Sequence, residues 1–330
     1  MIFSLAKEMS IYRVTKPLAF SDDENKQFES FEFFPRNPSS HSSSGWAPIF
    51  EQLTHSYFID RAEQRENAKT NEPISDMASP LMVYQSGNHV VLRAVQESAS
   101  IPSAQIEQKL SARVSEIERF ECRTLRKPEK DSIKEGILAS LLPAAYTKRV
   151  NTILWYNKAT GLLVVFAGAT RAESTLALLR KTIGSLPVIP VRTKSLPTHI
   201  MTQWVKDGDL PSNFCLCDAA EMRSPLENGG IVRFKDQCLV CDEVKQHIEN
   251  QKFVTKLEMS WSDRMKFTVT DNLAITKIKW DESLAEQNDD IDRDDMAARI
   301  DADIALLTGE LTAFIKDLLS AFGGEDKTVM

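Results

Sequence analysis

The sequence predicts an α+β protein with antiparallel sheets, flanking helices and a projecting helical pair. Three observations point there. Strand-length apolar segments come in groups joined by turns of two or three residues, the pattern of hairpins rather than of parallel crossovers. Between the groups, apolar residues recur every three or four positions, the helical period. No repeat of fixed period runs through the 330 residues.

Taken in order, Ile11 to Val14 reads as a short strand. Ser21 can cap a helix whose first turn holds Asp22, Asp23 and Glu24, acids favoured by the helix dipole. Asn37 to Gly45 (NPSSHSSSG) reads as a polar loop, and Glu63 to Ser79 as weakly patterned mobile surface. Met82 to Val95 alternates around Ser86-Gly87-Asn88, a β-hairpin. Next comes a helix for which Ser103 is the expected cap, with Ile106, Leu110, Val114 and Ile117 on one face. Pro128 fits the first turn of a second helix, which carries Ile133, Ile137, Leu138, Leu141 and Leu142 and stops at Pro143. These two helices make the helical pair.

Two strands follow, Asn151 to Tyr156 and Leu162 to Phe166, turning near Thr160-Gly161. A helix from Glu173 to Ile183 presents Leu176, Leu179 and Ile183, and Pro187 to Val191 is a short strand. Beyond it lie a helix around Ile200 to Val205, strands near Phe214 to Cys217 and Ile231 to Phe234, and a helix from Asp242 to Asn250. Three strands then run from Phe253 to Ile278, turning at Ser262-Asp263 and Asp271-Asn272. The chain closes on a long helix from about Asp294 to Ala321, with the stripe Ile300, Ile304, Leu307, Leu311, Phe314, Leu318, ended by Gly323-Gly324. The regions expected are an N-terminal α+β region (1–100), a helical tip (101–150) and a C-terminal α+β region (151–330).

With 42% hydrophobic and 26% charged residues the chain is ordinary globular material. No run approaches the roughly 18 apolar residues of a membrane span, and the N-terminus lacks the basic start and small-residue site of a signal peptide, so the cytoplasm is expected. Five cysteines do not suggest a disulfide framework at this length.

The charges are unevenly spread. From Cys122 to Lys194 there are 13 Lys or Arg against 4 Asp or Glu, about +9, while the formal net charge is −7, leaving −16 elsewhere. Binding follows the local field, so a basic segment inside an acidic chain points to a polyanion. Its densest part is the joint of the helical pair: Arg123, Arg126, Lys127, Lys130 and Lys134. Lys127, Lys130 and Lys134 fall at spacings where like charges repel, a stripe most simply explained by an anion lying along it. The alternative is a solvated face. No helix-turn-helix, zinc finger or RRM signature accompanies it, so sequence-specific readout is not expected.

Other chemistry is weaker. Cys215-x-Cys217 and Cys238-x-x-Cys241 could offer zinc four thiolates, but a regular strand sends Cys215 and Cys217 to one face, and free cysteines are the competing account. The run Asp289 to Asp295 resembles part of a calcium loop but has Asp295 where glycine is needed, and reads better as acids at a helix N-terminus. Asp301 and Asp303 could serve a two-metal nuclease. The histidines (His41, His55, His89, His199, His247) are scattered, and no nucleophile constellation, phosphate loop or dinucleotide fingerprint is present.

Several long strings carry a resemblance: RKPEKDSIKEGILASLLPAAY (Arg126 to Tyr146), TLALLRKTIGSLPVIP (Thr175 to Pro190), LENGGIVR (Leu226 to Arg233), VTKLEMSW (Val254 to Trp261) and DIDRDDMAARIDADIALLTGEL (Asp290 to Leu311). They resemble the RdgC family of recombination-associated proteins over nearly the whole chain. The resemblance implies a ring-shaped homodimer, not an enzyme, with a positively charged hole that encircles double-stranded DNA with little sequence preference. It further implies binding to single-stranded DNA, restraint of RecA-promoted recombination, a role in replication, association with the nucleoid, and no cofactor. Tyr146 matches an aromatic residue that helps close the ring. The basic loop from Arg233 through Lys235 to Gln237 matches a DNA-contacting loop, though Asp236 stands where a cation would be expected. The other residues implied for DNA contact are Arg123, Arg126, Lys127, Lys130, Lys134, Lys148, Arg149, Arg171, Arg180 and Lys181.

Overall fold

The computed structural model describes residues 6–18, 24–49, 81–226, 229–288, 291 and 296–328. The expectations for Ser21, for Glu63 to Ser79 and for most of the acidic run 289–295 lie outside the described residues.

The fold is α+β, and its strands pair antiparallel in two sheets. The first has seven strands: β1 (Ser10–Val14), β2 (Ser42–Ala47), β3 (Val83–Ser86), β4 (His89–Ser100), β5 (Tyr146–Asn157), β6 (Leu162–Val165) and β7 (Val188–Pro190). Their order is β2-β4-β5-β6-β1-β7, with β3 also on β4. The second has five strands in the order β12-β11-β10-β8-β9: β8 (Phe214–Arg223), β9 (Ile231–Phe234), β10 (Phe253–Trp261), β11 (Met265–Thr270) and β12 (Ile275–Trp280). The helices are α1 (Glu24–Glu29), α2 (Ser103–Glu121), α3 (Lys127–Leu141), α4 (Ala169–Ile183), α5 (Pro197–Asp207), α6 (Asp242–Glu249), α7 (Glu282–Glu286) and α8 (Met296–Ala321).

The first sheet is covered on both faces, which explains why its strands read as continuous apolar blocks. In β5 and β6, Ile153, Trp155, Leu162 and Val164 join one core, while Leu154, Tyr156, Leu163 and Val165 join another. The second core is closed by Phe28 of α1 and by Ala172, Leu176 and Leu179 of α4. The first core continues into the inner face of the five-stranded sheet through Leu257, Met259, Phe267 and Val269. Helix α8 lies in that core: Ile304, Leu307, Leu311, Phe314 and Leu318 are all buried, and the Phe314 ring packs 5.0 Å from Phe267 and 5.5 Å from Trp261. Gly323 and Gly324 end it at φ +83° and +87°, the left-handed region that favours glycine.

Two local expectations are corrected. Residues 42–47 form β2 rather than loop, paired with Ala47↔Arg93 through Ser42↔Ser98 of β4. The serine-rich composition hid it; Gly45 is the informative residue, because a Cβ there would meet the Phe33 backbone at 2.5 Å. Ser103 is the first helical residue of α2 and not its cap; Pro102 holds the cap position with no side-chain hydrogen bond.

Candidate nucleic-acid interface

The site begins with an extended ribbon. β4 and β5 pair over twelve residues each, from His89↔Asn157 to Ser100↔Tyr146. β6 flanks β5 only along Leu154–Asn157, so among the described residues no strand flanks Tyr146–Thr152 on that side. At the far end of the ribbon, where a turn would ordinarily join the strands, stand α2 and α3. They pack chiefly on each other. Val114, Leu125, Leu141 and Leu142 are their buried apolar anchors, and Ile106, Leu110, Ile117, Ile133, Ile137 and Leu138 are only half-buried. The pair therefore projects as an arm, as expected.

The polar chemistry at its joint is largely internal. The Arg123 guanidinium is held between Glu121 and Glu129, each at 2.7 Å, and the Glu129 contact foremost raises its pKa. Glu129 also accepts the Arg126 N–H at 2.7 Å, and with Arg123 as the main cause its carboxyl is lowered to about 2. Glu118 of α2 accepts the Leu125 N–H, the main reason its pKa is lowered, and meets Lys130 of α3 at 3.3 Å. Part of the negative charge that the Lys127-Lys130-Lys134 stripe calls for is thus Glu118 of the neighbouring helix. Exposed Lys127 and Lys134 enter no ion pair among the described residues and remain free to meet an external anion.

At the start of β5, Tyr146, Thr147, Lys148 and Arg149 are all exposed. Arg149 lies over the Phe33 ring at 5.1 Å and reaches Glu97 at 3.4 Å. Tyr146 is 86% exposed, an unusual state for a tyrosine at a strand start. Phe120, in the last turn of α2, is 89% exposed. Its place three residues after Ile117 continues the apolar stripe, and only the geometry of the arm reveals its exposure.

The remaining expected cations lie elsewhere. On α4, Arg171 meets Glu8 at 3.6 Å, Lys181 lies over the Phe31 ring at 5.5 Å, and Arg180 is exposed. Arg233 on β9 donates to buried Glu221 at 2.9 Å. Lys235 and Asp236 form an exposed pair at 3.6 Å, and Gln237 donates to Glu243 at 3.0 Å. Asp236 has φ +54°, a conformation in which aspartate is enriched among non-glycine residues. The structure thus places Arg123, Arg126, Lys127, Lys130 and Lys134 at the joint and along the first turns of α3, Lys148 and Arg149 at the ribbon end, and those of α4 and of β9 on separate elements.

The metal readings find little support. Cys215 and Cys217 share the outward side of β8, while Cys241 sits at the N-cap of α6, with Cys238 three residues before it. All five cysteines are free thiols, and burial pushes the Cys217 pKa up. Asp301 accepts a hydrogen bond from the Tyr84 hydroxyl, and Asp303 accepts one from Asn288 at 3.0 Å. Among the described residues no group of three or more His, Cys, Asp or Glu could hold a metal ion. No described helix is long and apolar enough to cross a membrane.

Comparison with known proteins gives a consistent result. A family model described as "Putative exonuclease, RdgC" matches residues 71–325. The recombination-associated protein RdgC of Aeromonas hydrophila is 39% identical over 98% of this chain and 99% of its own length. Those of Psychromonas ingrahamii and Proteus mirabilis are each 39% identical over 97% of this chain and 98% of theirs.

Proposed function

The chain belongs to the RdgC family of recombination-associated proteins, and on that premise we propose that it is a non-enzymatic homodimer that closes as a ring around duplex DNA. In this reading it binds without sequence preference and restrains RecA-promoted strand exchange by occupying the duplex, in the nucleoid of the cytoplasm. The observation that carries the reading is the arm. It is a projecting element with exposed Lys127 and Lys134 and the open Phe120 ring at and beside its joint, and with exposed Lys148 and the open Tyr146 ring at its base on β5. Cations without internal partners suit phosphates, and exposed aromatics at the joint and at the base of an arm suit a second copy of the chain.

Phosphate contact releases counterions, so affinity should fall steeply and linearly on a log–log plot against salt. The Lys127→Glu, Lys134→Glu variant should bind duplex at least about tenfold more weakly at ~100 mM salt, with an unchanged melting temperature. A flat salt dependence of the wild-type protein would refute DNA binding by phosphate contact. An unaffected variant would reduce the arm to a solvated face.

A second reading is kept because the matching family model carries the word exonuclease. It would have to use Asp301 and Asp303 or the paired cysteines. Release of nucleotides from end-labelled duplex with magnesium, abolished by Asp301→Asn without loss of folding, would establish it over the first.

A further inference from the structure

The arm leaves the body through two chain crossings, at Ile101-Pro102 and at Ala145, which lie outside helix and strand. Among the described residues, a single hydrogen bond ties residues 103–144 to a segment remote in sequence, and the ion pairs of the arm are all internal to it. The donor is Arg36. Its guanidinium reaches the Leu142 carbonyl at 3.2 Å, in the short turn Leu142–Ala144 that follows α3.

Arg36 is out of keeping with its surroundings. Phe34, Pro35, Asn37, Pro38 and Ser39 are exposed, whereas Arg36 is only 8% exposed. No carboxylate among the described residues pairs with it, and its Nε meets no acceptor there. A buried cation without a counter-charge is costly unless hydrogen bonds compensate it. Carbonyl groups do so here. The guanidinium donates to Pro38 at 2.9 Å, to Asn37 at 3.2 Å and to Ser40, so the loop folds round its own arginine. The remaining carbonyl, Leu142, lies at the C-terminal end of α3, where the helix dipole favours a cation.

The loop is in turn fastened to the body. Phe33 donates its N–H to the Trp46 carbonyl of β2 at 2.7 Å, and Trp46 returns one to Phe31 at 2.9 Å. Asn37 shapes the turn: its side chain accepts the Ser39 N–H at 3.0 Å, and its carbonyl accepts the Ser40 N–H at 2.8 Å. Residues 31–40 therefore run as a strap from β2 to the base of the arm, and Arg36 is its polar hold on the arm.

We propose that Arg36 is a latch that fixes the angle of the arm against the body, and that its release lets the arm swing to admit duplex. The proposal rests on the reading of the protein as a closed ring, because the angle of the arm then decides whether the ring is shut. The hinges are the two crossings, since residues at element ends absorb the backbone change of a swing. A hold made only of carbonyl acceptors suits a latch. Its hydrogen bonds exchange for water on release without leaving an unpaired carboxylate in the interior. Arg36 is a positioning residue and does not itself meet DNA.

The test compares wild-type protein with three variants, each first checked for folding by circular dichroism. Arg36→Met keeps the bulk but cannot donate, Arg36→Lys keeps donors and charge, and Asn37→Ala is an exposed change that loosens the turn. Arm angle is read as the distance distribution between spin labels on Cys122, exposed at the joint, and on Ala159→Cys, exposed between β5 and β6. The other cysteines are changed to serine, and labelled chain is diluted into unlabelled protein. Wild-type protein and Arg36→Lys should give one narrow distance, Arg36→Met a broad distribution and Asn37→Ala an intermediate one. Without labels, Arg36→Met should load on closed circular duplex and leave it several-fold faster than wild type, with its low-salt affinity for linear duplex unchanged. Wild-type distances in folded Arg36→Met would overturn the latch, as would broadened distances with wild-type rates on closed circles. Either result leaves the ring reading standing where wild-type protein is held on closed circles. If Arg36→Met does not fold, Asn37→Ala decides by the same two readouts. Wild-type protein that treats closed and linear duplex alike would overturn the ring reading and the latch with it.

Discussion

Tyr146 concentrates the residue-scale question. It sits where β5 leaves the helical pair, pairs through its backbone with Ser100, and leaves its ring 86% exposed. An aromatic ring in water contributes nothing to the fold of its own chain, and it gains only when a partner covers it. Tyr146→Ala should therefore change folding stability by less than about 0.5 kcal/mol, while shifting sedimentation equilibrium towards monomer at micromolar concentration. A variant that stays as dimeric as the wild-type protein would remove Tyr146 from the interface. The resemblance of LLPAAY to the family singled out this tyrosine. Phe120 and the clustering of Arg223, Arg233 and Lys256 around Glu221 were not legible, because exposure and strand facing depend on partners far away in sequence.

At the scale of elements, the chain divides into a packed body and a thinly packed arm. In the body, α8 and the strands around it were readable from period alone, since each apolar stripe matches what burial demands. Phe314 shows the consequence: it is fully buried between Phe267 and Trp261. Phe314→Ala should cost about 3–5 kcal/mol, read as a lower urea midpoint with unchanged slope; a loss below 1 kcal/mol would mean that α8 is not a core element. The arm was readable for a different reason. Pro128 in the first turn of α3 and the two apolar stripes gave both helices and their joint. Their ion pairing was not readable, because Glu118 and Lys130 meet only once the two helices fold against each other. Strand β2 was missed for a physical reason too: its serines and glycine have no strand propensity, and its place is set by β4 and by the Phe33 backbone against Gly45.

For the whole molecule, the charge split from +9 to −16 is a statement about sequence, and folding redistributes it. Some of the basic segment is neutralised within the arm, and within the acidic remainder Glu221 is ringed by Arg233, Lys256 and Arg223. Both changes follow from secondary structure sorting side chains by face rather than by position along the chain. The central claim about the proposed dimer is topological: the duplex passes through a closed ring. The most direct test loads the protein on closed circular duplex, raises salt to a level that removes it from linear duplex, and then linearises the circle. Retention on the closed circle followed by release on linearisation is the result expected of an encircling dimer. Equal release from circular and linear duplex before cutting would contradict encirclement.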